Sequence, residues 1–193
     1  MSLSVETLRW CVTSGGGRLE MIDQTRLPAV VDYVAFDSAE AVAAGIRTMI
    51  VRGAPAIGVA AAYGVALEAQ RLCAQHDAEF DAQLEKGFAA LAASRPTAVN
   101  LFWALDRMRV CWQQQGSLDR RRLAAALLAE AQFIHAEDVR INRAMGAHGA
   151  ALLNDGARVL THCNAGALAT AGHGTALGVI RSAVESGKKI SVI

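Results

Sequence analysis

The chain has 193 residues, 53% of them hydrophobic and 19% charged, and a net charge of +1 from 19 basic and 18 acidic side chains. That length and apolar content suit one large domain or two small ones with a sizeable core, and exclude a disordered chain. The balanced charge gives no electrostatic basis for binding nucleic acid or an anionic membrane.

The first ten residues lack the basic-then-apolar signature of a secretory signal. The uncharged run Gly53–Leu67 is shorter than the ~20 residues of a membrane-spanning helix and reads as a buried helix. Cys11, Cys73, Cys111 and Cys163 stand far apart with no C-x-x-C pair. That spacing predicts reduced thiols in the cytoplasm rather than disulfides or a zinc site. Cys11, Cys73 and Cys111 lie in apolar patterns and are assigned to the core.

Leu8–Val12 and Arg18–Ile22 are short apolar-rich runs joined by Thr13-Ser14-Gly15-Gly16-Gly17, which predicts a hairpin. Asp23–Pro28 follows as a polar connector, and Val30–Tyr33 is expected to add a third strand. Ser38 caps a helix predicted over Ala39–Ile50, with Glu40 favourable in its first turn. Pro55 suits the first turn of the next helix, Ala56–Ala74. Further helices are expected over Glu79–Ala93, over Thr97–Gln114 (opened by Pro96, ended by Gly116), over Leu118–Met145 (capped by Ser117) and over Ala147–Leu153. In the long one, Leu123, Leu127, Ala131 and Ile134 recur at helical spacing. Asn154-Asp155-Gly156 stops the last.

After Gly156 the period changes. Arg158–His162 reads as a strand, Gly174–Ser186 as a helix and Lys189–Ile193 as a second strand, one β-α-β unit of a parallel sheet. The expected fold class is α/β: a small N-terminal β-hairpin plus helical domain over residues 1–155, then the first β-α-β of a Rossmann-like parallel sheet over 156–193. A lone crossover unit cannot bury both faces of its strands. The chain is therefore expected to be part of a larger doubly wound protein, or to complete its sheet by another route.

Three segments carry candidate chemistry. Val159–Leu168 runs from apolar residues into Thr161, His162, Cys163 and Asn164 and then into small residues, at the kind of strand end where open α/β sheets bind ligands. Cys163 is a candidate acid/base or nucleophile, with an inert buried cysteine as the alternative. Arg52-Gly53-Ala54-Pro55 leads into a helix, where Gly53 admits close approach of a ligand and Arg52 supplies a charged fork for an anion. An ordinary Pro-started helix with a surface arginine is the alternative. Arg95 before Pro96 repeats that logic, against a solvated arginine beside a capping Ser94. The glycines of Gly172-His173-Gly174-Thr175-Ala176-Leu177-Gly178 come too far past Cys163 for a dinucleotide turn and read as helix–sheet packing. His162, Cys163 and His173 match no common metal spacing.

Four motifs then occur in order: Asp23-Gln24-Thr25-Arg26-Leu27-Pro28; Ile46-Arg47 through Val51-Arg52-Gly53-Ala54-Pro55-Ala56-Ile57-Gly58; Ser94-Arg95-Pro96-Thr97-Ala98-Val99-Asn100-Leu101; and Thr161-His162-Cys163-Asn164-Ala165-Gly166. With these, nearly the whole chain resembles the methylthioribose-1-phosphate isomerases of methionine salvage. Their superfamily includes ribose-1,5-bisphosphate isomerases and regulatory subunits of eukaryotic initiation factor 2B.

The resemblance implies an aldose–ketose isomerase acting on a small phosphosugar, with no metal and no organic cofactor, homodimeric in its complete form. It implies that Arg52, Gly53, Ala54 and Arg95 bind substrate and that Cys163 is catalytic. It places the partner aspartate beyond Ile193, so these residues alone are expected to have little or no isomerase activity. A ribose-1,5-bisphosphate isomerase and a non-catalytic factor 2B-like protein are the alternatives. Cys163 in its H-C-N setting and the intact Arg52-Gly53-Ala54 loop favour an enzyme.

Overall fold

The structure is a computed structural model that describes residues 6–13, 16–75, 79–116 and 118–193. Strands β1 (Leu8–Thr13) and β2 (Gly16–Ile22) form the expected antiparallel hairpin; Ser14 and Gly15 of its turn lie outside the described residues. Strand β3 (Tyr33–Phe36) pairs with the other edge of β2, with Tyr33 opposite Ile22. Tyr33 thus begins the strand it was expected to end. The amide of Val30 is turned back onto the Arg26 carbonyl at 3.0 Å, so the connector is still turning where the strand was predicted.

Helix α1 spans Ala39–Arg47, with the Ser38 hydroxyl accepting from the Ala41 amide at 3.3 Å as predicted. It stops short of Ile50. Met49 takes a left-handed φ of 64°, the Ile50 amide bonds the Gly45 carbonyl at 3.0 Å and the Met49 amide bonds the Ile46 carbonyl at 3.2 Å. That pair of bonds is a Schellman stop. It turns the chain directly into the Val51-Arg52-Gly53 segment.

Helix α2 (Ala54–Gln75) is the axis of the fold, packed against β2, α1, α3 (Phe80–Ala92), α4 (Val99–Gln115) and α5 (Arg120–Ala151). Its small apolar residues let so many neighbours come close, and every residue from Ala56 to Ala69 is buried. No helix among the described residues is long and apolar enough to cross a membrane.

Helices α4 and α5 depart from expectation. Helix α4 starts at Val99, because Pro96 serves a turn in which the Ala98 amide bonds the Arg95 carbonyl at 3.1 Å. Proline's fixed φ suits that turn position as well as a helix start. Ser94 is not an N-cap either: its hydroxyl donates back to Leu91 at the end of α3. Helix α5 is one helix rather than two. A Cβ on Gly146 would lie 2.5 Å from Ser182 Oγ, and one on Gly149 would lie 2.6 Å from Val179 Cγ2, so both glycines are seats for a crossing helix rather than stops. Asp119 caps α5 by accepting from the Arg122 amide at 3.0 Å; Ser117 lies outside the described residues.

Strand β4 (Arg158–Val159), helix α6 (Ala176–Glu185) and strand β5 (Ser191–Val192) form the expected parallel crossover. The strands are shorter than predicted: Leu160, Thr161 and His162 lie past the end of β4, with Cys163 in the loop that follows. Cys73 and Cys111 pack against the core, whereas Cys11 is half-buried outside it. All four cysteines are free thiols.

Candidate active site

Four contacts join the first three motifs to one another and to the loop that follows the fourth. The Gln24 amide donates to the Ile50 carbonyl at 3.1 Å, fixing the stretch that enters the Arg52 loop. The buried Gln24 side chain donates through Nε2 to the Leu168 carbonyl at 2.8 Å, tying the same residue to the loop after Cys163. Gly53, at a φ of 80°, faces that loop directly: a Cβ there would sit 2.5 Å from Ala169 Cα and 2.6 Å from its carbonyl oxygen. Only glycine supplies both the left-handed backbone and the missing atom. One turn into α2, a Cβ on Gly58 would lie 2.7 Å from the Asn100 carbonyl, so the α2 and α4 starts also touch.

The predicted site residues fall around these contacts. Arg52 and Ala54 are exposed beside Gly53, at the entry to α2. The first amides of a helix lack intrahelical partners, and Pro55 contributes none. Arg95 is half-buried in the turn before α4. Cys163 is exposed, at a left-handed φ of 70°. A non-glycine residue held there costs about 1–3 kcal/mol, and such strain clusters at functional sites.

The loop from Ala165 to Thr175 carries its own supports. A short 3-10 turn spans Ala167–Ala169. The Thr7 hydroxyl donates to the Ala167 carbonyl at 2.8 Å. Buried Thr170 Oγ1 accepts from the amides of Gly172 and Gly174 at 3.2 and 3.0 Å. At the start of α6 the amides of Thr175 and Leu177 both donate to the Ala165 carbonyl, at 2.8 and 3.3 Å, and close the loop. Gly174 and Gly178 pack against Gly166 and His173, so these glycines serve loop packing rather than helix–sheet packing.

Behind this loop lies a polar group that sequence reasoning missed. Tyr63 hydroxyl and His135 Nδ1 hydrogen-bond at 3.1 Å, and Trp10 stacks on Tyr63 at 5.5 Å. Burial pushes the Tyr63 phenol up to about 12, so it keeps its proton. Burial pushes the His135 imidazole down, with Asp138 pulling the other way. Burial raises the Asp138 carboxyl, partly offset by the Ala171 amide bonded to it.

His173 is buried, with Nε2 at 2.9 Å from Ser182 Oγ, while His162 is exposed. Among the described residues no group of three or more His, Cys, Asp or Glu could hold a metal ion. A cleft of about 620 Å³ between α5 and α6 is lined by Arg143, His173, Ser182 and Lys188 among others. None of the predicted site residues lines it.

The chain is similar to known proteins in sequence and in fold. Residues 50–193 match the initiation factor 2 subunit family. The chain is 65% identical over 190 residues to a methylthioribose-1-phosphate isomerase of Albidiferax ferrireducens, covering 98% of this chain and 52% of that relative. The solved 5-methylthioribose 1-phosphate isomerase from Pyrococcus horikoshii OT3 superimposes with a TM-score of 0.84 at 38% identity, over 95% of this chain and 50% of that one. The translation initiation factor eIF-2B subunit delta from A. fulgidus gives 0.83 at 43% identity, over 98% of this chain and 54% of that one. The chain therefore spans about half the length of the curated relatives it matches. With its motifs, its α/β fold and its match over residues 50–193 in agreement, the chain belongs to the initiation factor 2 subunit family.

Proposed function

We propose that these residues supply the phosphosugar-binding loops and one acid–base group of an aldose–ketose isomerase. Its reaction converts 5-methylthioribose 1-phosphate to 5-methylthioribulose 1-phosphate in methionine salvage. The observation that carries this reading is that the Gln24 and Gly53 motifs both close on the loop that follows the exposed Cys163, while Gly58 of the second motif touches Asn100 of the Arg95 motif. The name of the Albidiferax ferrireducens relative supports the substrate.

On this reading residues 1–155 form the domain that holds substrate, and 156–193 begin the Rossmann-like catalytic domain. Arg52 and Arg95 are cations suited to a phosphate dianion. Gly53 and Ala54 offer backbone at a helix start without side-chain bulk. A phosphate on C1 locks the sugar as a ring, so no free aldehyde is available. The ring must open, with a proton delivered to the ring oxygen; a hydrogen must then move from C2 to C1 while the C2 hydroxyl gives up its proton to a base and becomes the ketone. Cys163 is the group at the reacting carbons, and the partner aspartate implied by the resemblance lies outside these residues. Such proton transfers gain from a positioned acid and base in a water-poor pocket. The enzyme acts as a homodimer in the cytoplasm, where its four free thiols stay reduced.

A factor 2B-like regulatory role is the second reading, favoured by the likeness to the A. fulgidus subunit. The test is turnover of methylthioribose 1-phosphate by a chain of the relatives' length that carries these 193 residues, followed by NMR. Appearance of the ketose supports the isomerase. No turnover with tight retention by initiation factor 2 supports the regulatory role. Turnover of ribose 1,5-bisphosphate alone overturns the choice of sugar.

A further inference from the structure

Helix α5 carries a carboxylate where its packing pattern calls for an apolar residue. The stripe Leu123, Leu127, Ala131, Ile134 continues at the same spacing into Asp138 and Asn142. A carboxyl group taken out of water costs free energy unless donors meet it. Two do. Asn142, 3% exposed, donates through Nδ2 to Asp138 Oδ1 at 3.0 Å and to the Asp138 carbonyl at 2.8 Å. The Ala171 amide donates to Asp138 Oδ2 at 2.7 Å.

The first donor is local to the helix, and the second belongs to the loop after Cys163. The next residue along each element is also close: a Cβ on Gly172 would lie 3.3 Å from Val139 Cγ2. The loop is thus gripped from two sides, by Thr7 and Gln24 at the carbonyls of Ala167 and Leu168 and by Asp138 at the amide of Ala171. An amide bonded to a carboxylate is held roughly twice as strongly as one bonded to a neutral acceptor.

We propose that Asp138 is a positioning residue: through the Ala171 amide it fixes the loop that follows Cys163, and so holds the thiol in register with the Gly53 loop. This rests on the reading of Cys163 as the acid–base group, but its first test needs no turnover. In Asp138→Leu, amide hydrogen exchange over residues 165–175 should speed up about tenfold, the scale of one charge-assisted hydrogen bond, while the α2 amides keep their rates. Asp138→Asn keeps an acceptor oxygen for Ala171 and should restore slow exchange. Unchanged exchange in the loop, acceleration shared equally by α2, or Asp138→Asn exchanging as fast as Asp138→Leu overturns the proposal.

In the chain of full relatives' length, Asp138→Leu should then lower kcat about tenfold with KM little changed, and Asp138→Asn should recover it. A raised KM at unchanged kcat also overturns it. Absence of turnover in the parent chain bears on the isomerase reading instead.

Discussion

Around α2 every residue from Ala56 to Ala69 is buried, and six elements press on that helix, the 3-10 turn Ala167–Ala169 among them. Across β4 and β5 the ladder is two residues long, and Leu160, Val192 and Ile193 are 79%, 47% and 63% exposed. The candidate site lies between these regions, and the difference shows which of them holds it. Thr7, Gln24, Gly53 and Asp138, which hold the loop after Cys163, all belong to the α2 side. The strand side delivers the thiol; the helical side decides where its loop rests.

That contrast can be broken most forcefully in the core. Leu127, fully buried on α5, should cost about 2–5 kcal/mol of unfolding free energy on substitution by alanine, measured by denaturant titration. An effect below about 1 kcal/mol would mean that the helical side is not the closely packed region described. Gly53→Ala should come next, at about 1–3 kcal/mol, because it combines a left-handed φ of 80° with a collision against Ala169. It should also perturb the NMR resonances of residues 167–169. A silent substitution would separate the two loops.

The pH dependence of stability sharpens the same point. Burial keeps the imidazoles of His135 and His173 below the ordinary 6.5, so both are neutral in the folded chain. The unfolded chain takes up protons first as pH falls. Their contribution is therefore complete above about pH 6.5 and is lost as pH drops towards the depressed folded values. Asp138, raised by burial, runs the other way and penalises the folded state once ionised. Thermal melts from about pH 7.5 to about pH 5.5 should show a falling Tm, flattened in His135→Gln and His173→Gln. A constant Tm in the parent would contradict the burial of these rings. At the small end, Leu160→Ala should change stability by less than about 0.5 kcal/mol, since a side chain 79% exposed has little contact to lose.

Much of the fold was legible because its signals are local. The uncharged, small-residue run from Gly53 marked α2, Ser38 marked the start of α1, and the switch of period after Gly156 marked the crossover. What was missed depends on partners far along the chain. Pro96 satisfies a turn and a helix start equally, and only the Ala98–Arg95 hydrogen bond decides between them. Gly146 resembles a helix stop until α6 is laid across it.

Within the site, the motif order marked which segments matter, but not how they touch. Gln24 stood inside a quoted motif with no role, and its two hydrogen bonds give it one. Asp138 had a signal that went unread: a polar residue on the apolar stripe one turn past Ile134. The left-handed backbone of Cys163 had none, because a residue with a side chain does not announce a positive φ as glycine does.

The central claim is that Cys163 is the acid–base group on a loop set by the helical side. Its most direct test is Cys163→Ala in a chain of the relatives' length, assayed for turnover and for binding of methylthioribose 1-phosphate. Turnover should fall by about 10²–10⁴-fold, the usual contribution of a positioned acid or base, while binding stays within a few-fold of the parent. A variant that turns over at the parent rate would contradict the account.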